Sequence, residues 1–408
     1  MLKGNILYGQ SGGPSSAINA SCLGVILEGK KHPESIEKIY MMHHGILGAI
    51  NDDLIDVTNY DEKELNKLKH TSGAFFGNVR YKLQDVKDSE KDYKKILQNL
   101  KKYNIRYFFY NGGNDSMDTC NKISNYLKSV NYECKVIGIP KTIDNDLPHT
   151  DHTPGYGSSA KFIANAMIDI DLDNASYPLG RVIVVEIMGR HAGWLAASSS
   201  LANLVGYGPD LIYVPEVAFD MDKFYEDVSK VYSKKKRCLV AVSEGIVDKD
   251  HNFIFQVGKK VDAFGHFRLG GVCQVLSQNV KDTLELPSLP VEFSFLQRAA
   301  GRIASKTDIL EGIEVGKKAV EQALNGLTDV MITIQRESSN PYLVSYSTVH
   351  LSEVANIEKK LPLSMINKEG NNITSEFVDY ALPLIQGELT DSFKNGLLDI
   401  PHFKGYNC

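Results

Sequence analysis

Short apolar runs recur along the chain and alternate with longer stretches of helical length. The runs are rich in β-branched and aromatic residues, as fully buried parallel strands tend to be. This β-α-β-α order predicts a doubly wound α/β architecture. The predicted strands are Ile6–Tyr8, Lys38–Met42, Arg106–Tyr110, Lys135–Ile139, Arg181–Ile187, Asp210–Val214, Cys238–Val242, Val291–Phe295 and Val330–Ile334. The predicted helices are Ala17–Glu28, Asp92–Lys102, Met117–Val130, Ser158–Leu172, Trp194–Leu204, Met221–Lys234 and Asp308–Leu324.

The predicted strands are too many for one sheet of comfortable size, so we expect two lobes. We place the boundary near residues 141–150 and expect the chain to cross back to the first lobe after about residue 296. Beyond about Asn356 the pattern changes, with two adjacent lysines, a proline and a Gly-Asn-Asn turn. Residues 356–408 are therefore expected to form a small C-terminal extension.

Composition narrows the class of protein. Among 408 residues, 43% are apolar and the six cysteines include no Cys-x-x-Cys pair, so neither a disulfide framework nor a zinc site is expected. That cysteine usage fits the cytoplasm. No signal peptide or long apolar span is visible, so secretion and membrane insertion are not expected. A net charge of −5 gives no general attraction to nucleic acid.

Lys141 stands between a strand-like run and the acidic sequence Thr142–Asp146. A cation beside carboxylates at a strand's carboxyl end lies where open α/β sheets place ligands. The same arrangement occurs upstream, where the predicted strand Arg106–Tyr110 leads into the polar loop Asn111–Ser116. These two strand ends carry side chains suited to phosphate or metal, and they predict one shared site.

The first predicted strand leads into a loop with three glycines and three serines, Gly9–Ala17. Glycines let backbone N–H groups approach an anion, and the following helix N-terminus adds partial positive charge. The loop matches neither the dinucleotide-binding nor the P-loop pattern. A tight βα turn capped by serines is an equally good interpretation of this loop alone. Arg80 follows another glycine-rich turn and is a candidate cation for the same anion.

Seven loops together resemble those of the phosphofructokinase family in order and spacing, over roughly residues 4–355. The motifs are Ser11–Pro14 with Asn19, Gly112–Ser116, Pro140–Asp146, Thr153–Ser158, Met188–Gly193, Ser243–Gly245 and Leu296–Arg298. The resemblance implies two Rossmann-like lobes and transfer of a phosphoryl group to the 1-hydroxyl of fructose 6-phosphate. It implies a donor-binding lobe of residues 1–141 plus about 297–355, and a sugar-phosphate lobe of residues 142–296.

Within that family, Lys141 and Asp115 resemble the residues of members that use inorganic pyrophosphate rather than ATP. Pyrophosphate brings no adenosine to contribute binding energy, and a fixed ammonium beside the transferred group replaces part of that stabilisation. The Asp115 carboxylate would repel a nucleotide's α-phosphate, which is specificity by exclusion. Considered alone, Lys141 is also compatible with a plain ion pair to Asp144 or Asp146.

The resemblance also implies individual roles. Asp144 is the candidate general base, and Mg²⁺ is the expected metal, with Asn114 where many members carry an aspartate ligand. The catalytic set is Asp144, Lys141, Asp115 and Thr142. The donor-binding set is Gly12, Gly13, Arg80, Gly113 and Ser116. The sugar-phosphate set is Thr142, Asp146, Arg181, Met188, Gly189, Arg190, Glu244, Phe295, Arg298 and Tyr380.

The chain departs from the family pattern mainly on the acceptor side. Leu289 and Leu382 stand where relatives often carry arginines, and Phe295 stands where His or Tyr is usual. Losing cations should weaken a phosphate cage. An ATP-dependent kinase, a kinase for another acceptor such as sedoheptulose 7-phosphate, and a non-catalytic subunit therefore remain alternatives. Arg181 matches a residue that reaches a neighbouring subunit's substrate, so a dimer or tetramer is expected.

The sequence His149-Thr150-Asp151-His152 offers a competing metal hypothesis. Its spacing brings two imidazoles and a carboxylate together, but no third ligand follows at a sensible distance. Loop histidines with ordinary hydrogen bonds are the favoured interpretation.

Overall fold

A computed structural model of the 408-residue chain describes residues 2–255, 257–261 and 267–403. Within these residues, two parallel-rich sheets of seven and four strands dominate the fold. The strands are β1 Gly4–Gln10, β2 Ile36–Met42, β3 Leu54–Asp56, β4 Ile105–Gly112, β5 Lys135–Pro140, β6 Val182–Ile187, β7 Leu211–Tyr213, β8 Cys238–Ser243, β9 Val257–Val261, β10 Phe267–Arg268, β11 Ser288–Glu292, β12 Val330–Ser339, β13 Tyr342–His350, β14 Phe393–Lys394 and β15 Leu397–Leu398.

Helices connect and cover these strands. The α-helices are α1 Ile18–Gly29, α2 Ile46–Asn51, α3 Glu62–Asn66, α4 Lys91–Lys102, α5 Asn114–Ser129, α6 Tyr156–Ala175, α7 Trp194–Ser198, α8 Met221–Lys235, α9 Val272–Leu284, α10 Leu296–Ala299, α11 Lys306–Leu324 and α12 Ser375–Ala381. Short 3₁₀ helices are Lys67–His70, Ser199–Val205, Gly301–Ile303, Leu351–Glu353, Leu363–Met365 and Leu382–Ile385. In the part of the chain described, no helix combines the length and apolar character needed to cross a bilayer.

The larger sheet has the order β13-β12-β5-β4-β1-β2-β3, in which β3 and β13 are antiparallel to their neighbours. Alternate residues of its central strands enter two separate cores. Ile6 and Tyr8 pack in one core, and Leu7 between them packs in the other. Because successive side chains of a strand point to opposite faces, both faces of this sheet are covered, as in a doubly wound fold.

The smaller sheet has the order β11-β6-β8-β7, and all its pairings are parallel. Its faces are also both buried: Ile183 and Val185 enter one core, while Val182 and Val184 enter another. The chain therefore leaves the larger sheet after β5, builds the smaller sheet, and returns through α11 to add β12 and β13.

Helices α1 and α11 cross at very short range on one face of the larger sheet. A Cβ on Gly24 would lie 2.0 Å from the carbonyl oxygen of Ile313, and one on Gly316 would lie 2.1 Å from that of Ser21. No side chain fits there, so these two glycines let the helix backbones touch. The contact fixes the start of α1, where the Gly9–Ala17 loop ends.

The C-terminal segment after β13 packs on the rest of the chain. Leu361, Phe377 and Leu384 are buried in a core of the smaller sheet, at 2%, 0% and 1% exposure. Phe403 lies on the larger sheet's side, with its ring centroid 4.4 Å from that of Tyr60. The extension expected from residue 356 thus contributes core side chains on both sides of the molecule.

The predicted strands and helices occur, with three differences. The strand predicted at Val291–Phe295 was placed three residues too late in the chain, because β11 is Ser288–Glu292. The residues that follow β11 form the turn before α10. The helix predicted at Trp194–Leu204 is α-helical only to Ser198 and then 3₁₀. The third difference is a set of elements that were not predicted: strands β3, β9, β10, β13, β14 and β15, and helices α2, α3, α9, α10 and α12.

Candidate active site

A cleft of about 700 Å³ lies where the carboxyl ends of strands from both sheets meet. From the larger sheet, the loops after β1, β4 and β5 line it; from the smaller sheet, the residues after β6, β8 and β11 do so. Sixteen of the sequence-predicted residues lie in its wall: Gly12, Gly13, Arg80, Gly113, Asn114, Asp115, Ser116, Lys141, Thr142, Asp144, Asp146, Met188, Arg190, Glu244, Phe295 and Arg298. The structure therefore brings these residues together at the carboxyl ends of the strands, where open α/β sheets place ligands.

Lys141 is almost completely buried, at 2% exposure, and its ammonium reaches the glycine loop after β1. Nζ donates a hydrogen bond to the carbonyl oxygen of Gly13 at 2.7 Å. Burial lowers the pKa of Lys141 to about 8, although Asp144 nearby acts in the opposite direction. Among the described residues its ammonium forms no salt bridge to Asp144 or Asp146, whose charges act on it only at longer range, so the plain ion-pair interpretation is not supported.

Two arginines join Lys141 at this loop. The Nη1 atom of Arg298 would lie 3.2 Å from a Cβ on Gly13, and Lys141 Nζ would lie 3.2 Å from a Cβ on Gly12. Burial lowers the pKa of Arg298, and the positive charge of Arg80 lowers it further. Two cations thus lie beside the two glycines, and the charge of Arg80 acts on both of them. Gly12 also has φ of +78°, a conformation that favours glycine.

Arg298 was expected to hold the sugar phosphate, but its guanidinium lies beside Gly13 in the loop after β1. It is close enough to Lys141 to lower that residue's pKa through charge repulsion. Arg298 therefore lies beside the loop after β1 and also within electrostatic reach of Asp144 and Glu244. A cation in this position can contact ligand groups in both parts of the cleft.

The loop after β4 turns directly into helix α5. Asp115 lies in the first turn of that helix, where the helix dipole stabilises a carboxylate. The Asn114 side-chain oxygen accepts the Asp115 backbone N–H at 2.8 Å, and the Ser116 N–H donates to the Gly113 carbonyl oxygen at 3.0 Å. Asn114 therefore presents a neutral amide, already partly engaged locally, to the cleft.

Asp144 and Asp146 form an electrostatically coupled pair in the loop after β5. The backbone N–H of Asp144 donates to Thr142 Oγ1 at 3.1 Å, which turns the loop toward the cleft. Burial raises the pKa of Asp144, and Glu244 across the cleft raises it further. Burial likewise raises the pKa of Asp146, and the Asp144 charge adds to the effect. Raised pKa values move these carboxyl groups toward the range useful for a general base.

The acceptor side of the cleft is built by the loops after β6 and β8. The Glu244 carboxylate accepts the Gly189 N–H at 3.5 Å, and Gln297 accepts the Met188 N–H at 3.0 Å. Gly189 lies just behind the cleft wall with φ of +138°. Phe295 is 62% exposed, so its ring faces open space at the cleft rim.

Besides Gly189, two predicted sugar-phosphate residues do not line the cleft. Arg181 is exposed and precedes β6, so it lies at the opposite end of that strand from Met188. Tyr380 lies behind the loop after β5, where its hydroxyl accepts from Asn145 Nδ2 and donates to the Asp151 carbonyl oxygen, each at 2.8 Å. Its hydroxyl is thus committed to the protein, and direct sugar-phosphate contact does not fit this geometry.

Several cleft residues were given no individual role from the sequence, although Ser11, Pro14, Ile143, His191, Ala192 and Gln297 belong to the motifs named there. The full set is Ser11, Pro14, Ile143, Glu186, His191, Ala192, Leu269, Glu292, Ser294, Gln297 and Glu358. Glu358 comes from the C-terminal segment, and its carboxylate lies 3.1 Å from Nδ1 of His191. Its charge helps to raise the pKa of both Asp144 and Asp146. An acidic residue in a polar tail carries no sequence signal that distinguishes it from an ordinary surface residue.

The histidine-rich loop before α6 is structural. Nδ1 of His152 lies 2.7 Å from an Asp151 carboxylate oxygen, and Nε2 lies 2.7 Å from one of Glu311. Burial disfavours the imidazolium, but Glu311 and Asp151 outweigh it and raise the pKa of His152 to about 9. In the described ranges, no three His, Cys, Asp or Glu side chains are grouped to hold a metal ion.

Comparison with known proteins decides the family. The family model for phosphofructokinase matches residues 5–323, most of the chain. The chain belongs to the phosphofructokinase family. Within it, the chain is 42% identical to the pyrophosphate–fructose 6-phosphate 1-phosphotransferase of Halomonas elongata, over 97% of the chain and 95% of that protein. The enzyme of that name from Methylococcus capsulatus is 40% identical, over 98% and 96%.

A solved structure of a family member agrees. The pyrophosphate-dependent phosphofructokinase from Marinobacter aquaeolei superimposes with a TM-score of 0.88 at 39% identity, covering 99% of this chain and 97% of that one. The fold class expected from the sequence, the phosphofructokinase fold, is thereby confirmed. These matches extend through the C-terminal segment, beyond the residues that the family model covers.

Proposed function

We propose that this phosphofructokinase transfers a phosphoryl group reversibly from inorganic pyrophosphate to the 1-hydroxyl of fructose 6-phosphate, giving fructose 1,6-bisphosphate and phosphate. The observation that carries the proposal is the position of Lys141 beside Gly12 and of Arg298 beside Gly13, with Arg80 lining the same cleft. Three cations in this part of the cleft suit a compact, highly charged donor that has no base or ribose to bind.

Donor choice follows from the two sides of this loop. Lys141 supplies positive charge where the transferred group lies, and Asp115 in the first turn of α5 places negative charge where a nucleotide would continue. We assign the donor to residues 1–141 plus about 297–355, with Gly113 and Ser116 among its contacts. The names of the 40–42% identical relatives, which specify pyrophosphate, support this choice.

Asp144 is the proposed general base. Its carboxyl group lies in the cleft between the donor loop and Glu244, and its raised pKa matches the removal of a proton from a sugar hydroxyl. Thr142 and Asp146 are proposed to orient the substrate. The remaining acceptor contacts are assigned to the lobe of residues 142–296, through Met188, Gly189, Arg190, Glu244 and Phe295.

Mg²⁺ is the proposed metal, and the donor set fits it. Asn114 and Asp115 present oxygen atoms to the same cleft, and Mg²⁺ prefers oxygen ligands while keeping several waters. When bound, the ion would neutralise charge on the diphosphate. Because Asn114 is neutral, we expect the protein itself to hold the ion weakly, with most of its coordination supplied by pyrophosphate.

Two positions where relatives often carry arginines for the acceptor phosphate are leucines in this chain, which leaves Arg190 and Arg298 as the cleft arginines available for it. Arg181 lies at the far end of β6, and Leu289 and Leu382 are partly exposed, at 40% and 37%. We therefore propose that a second subunit completes each acceptor site through Arg181, in a dimer or tetramer. The proposed location is the cytoplasm, where buried thiols such as Cys22 and Cys120 stay reduced.

One assay tests the proposal: purified protein with Mg²⁺ and fructose 6-phosphate, compared with pyrophosphate and with ATP as donor. We expect turnover with pyrophosphate and little with ATP. Turnover with ATP alone would refute the donor assignment. Turnover with pyrophosphate on sedoheptulose 7-phosphate in preference to fructose 6-phosphate would retain the donor and change the acceptor, and inactivity with every pair would indicate a non-catalytic subunit.

A further inference from the structure

Lys359, in the C-terminal segment, donates hydrogen bonds to the loop after β5, which carries Asp144 and Asp146. Its backbone N–H donates to the Asp146 carbonyl oxygen at 2.6 Å. Its ammonium donates to the carbonyl oxygens of Thr150 and Asp151, at 2.9 and 2.8 Å. One half-buried residue therefore holds the chain at both ends of the stretch that follows Asp144.

Tyr380 holds the same stretch from a second point. Its hydroxyl donates to the Asp151 carbonyl oxygen and accepts from Asn145 Nδ2. Asn145 is fully buried with φ of +55°. This conformation costs energy in a residue other than glycine, and it persists where surrounding contacts hold it. Its side-chain oxygen also accepts the Thr153 N–H at 3.1 Å. Because Asn145 lies between Asp144 and Asp146, fixing it fixes the direction of both carboxylates.

These anchors are tied to the lobe of the smaller sheet. Trp194 Nε1 donates to the Lys359 carbonyl oxygen at 3.1 Å, and the Lys359 ammonium lies 5.1 Å from the Trp194 ring centroid. Two residues further on, the Leu361 N–H donates to Glu216 at 2.9 Å. The segment thus connects the loop after β5 to α7, whose first residue is Trp194, and to Glu216, three residues after the end of β7.

We propose that Lys359 and Tyr380, together the C-terminal brace, are positioning residues for phosphoryl transfer that hold the Asp144–Asp146 turn in its reactive orientation. The proposal rests on the proposed function. Neither side chain lines the cleft, so the brace acts through the loop and not on substrate. It also gives Tyr380 a role different from the sugar-phosphate contact expected from the sequence.

Misplacement of a reacting group by about 1 Å costs on the order of 100-fold in rate, whereas substrate affinity depends on other residues. We therefore expect a loss in kcat with little change in KM. Lys359→Met keeps the length of the side chain and removes its three donors, and Tyr380→Phe removes one hydroxyl. The matched control is Lys360→Met, because Lys360 is the exposed neighbour and does not line the cleft.

The experiment measures steady-state kinetics and backbone hydrogen exchange over residues 143–151 in the full-length protein. For Lys359→Met and for Tyr380→Phe we expect kcat to fall by about 10- to 100-fold, KM values within about 3-fold, and faster exchange in this stretch. The double variant should lose less than the product of the single losses, because both side chains bond to Asp151. Lys360→Met should match the wild type.

Three results would overturn the brace. One is a raised KM for fructose 6-phosphate with normal kcat in Tyr380→Phe, which would mean direct substrate contact. Another is Lys359→Met behaving like Lys360→Met. The third is unchanged hydrogen exchange over residues 143–151 in both variants. This result rejects the brace whether or not the wild type is active. A wild type that is inactive with every donor would reject the proposed function instead.

Discussion

Replacing Lys141 by methionine tests the basis of donor selection most directly. Methionine has a similar length and no charge, so the substitution removes the ammonium that donates to Gly13 and leaves the buried volume nearly filled. Burial already lowers the pKa of Lys141 to about 8, so its charge is costly to the free protein. We therefore expect the melting temperature to stay constant or rise.

The kinetic loss follows from where the ammonium lies. Nζ would be 3.2 Å from a Cβ on Gly12, so an anion seated on that loop is within about 4 Å of it. At that separation a pair of unit charges interacts by about 4 kcal/mol at an effective dielectric constant of about 20. Removing one preorganised donor costs about 2.7–4 kcal/mol in comparable sites. We expect kcat/KM for pyrophosphate to fall by about 100- to 1,000-fold.

The assay follows fructose 1,6-bisphosphate formation while pyrophosphate is varied at saturating fructose 6-phosphate, and then the reverse. KM for fructose 6-phosphate should change by less than about 3-fold, because Lys141 lies on the donor side. Lys360→Met again serves as the control for loss of one lysine. A decrease of less than about 3-fold in kcat/KM for pyrophosphate would refute the argument that Lys141 replaces the missing nucleotide contacts.

Further predictions follow from the same geometry. As pH rises through about 8, Lys141 loses its charge, and kcat/KM for pyrophosphate should fall. In Lys141→Arg this fall should move to higher pH, because arginine keeps its charge. Identical pH profiles for the variant and the wild type would reject the assignment to Lys141. Asp144→Asn should lower kcat by about 100- to 10,000-fold without lowering the melting temperature, and retained turnover would exclude it as base. Combining Asp115→Gly with Lys141→Gly should abolish pyrophosphate use and permit measurable ATP binding by calorimetry; unchanged pyrophosphate kinetics would contradict exclusion. Gly316→Ala should destabilise the protein by at least about 1–3 kcal/mol in urea, because the new methyl group meets the Ser21 carbonyl oxygen, and an unchanged midpoint would contradict that contact.

The buried strands were readable from the sequence because both faces of each sheet are covered. A strand buried on both faces is a continuous apolar run, so β1, β4, β5 and β8 stand out from the helices. Strand β13 lies at the edge of the larger sheet and mixes Ser, Thr and Tyr with apolar residues, and its side chains are mostly half-buried. Its antiparallel pairing with β12 also breaks the alternation on which the prediction depended.

The candidate site was readable where chemistry and chain neighbourhood coincide. Asp144 and Lys141 belong to one loop, and their proximity needed no knowledge of the fold. The position of Arg298 beside Gly13, and of Glu358 beside His191, depends on contacts between distant parts of the chain that no local pattern records. The same holds for Tyr380, whose aromatic ring and hydroxyl fit a ligand contact and a buried anchor equally well.

The return of the chain to the larger sheet has a consequence for folding during synthesis. Strand β5 pairs with β12 through Ile137 and Val330, so its outer edge has no partner until residue 330 has left the ribosome. At about 5–20 residues per second, this interval lasts on the order of ten to forty seconds. An unpaired edge of this kind attracts other strands. The strand that ends directly before Lys141 is therefore exposed to misassociation in the nascent protein, before any substrate can bind.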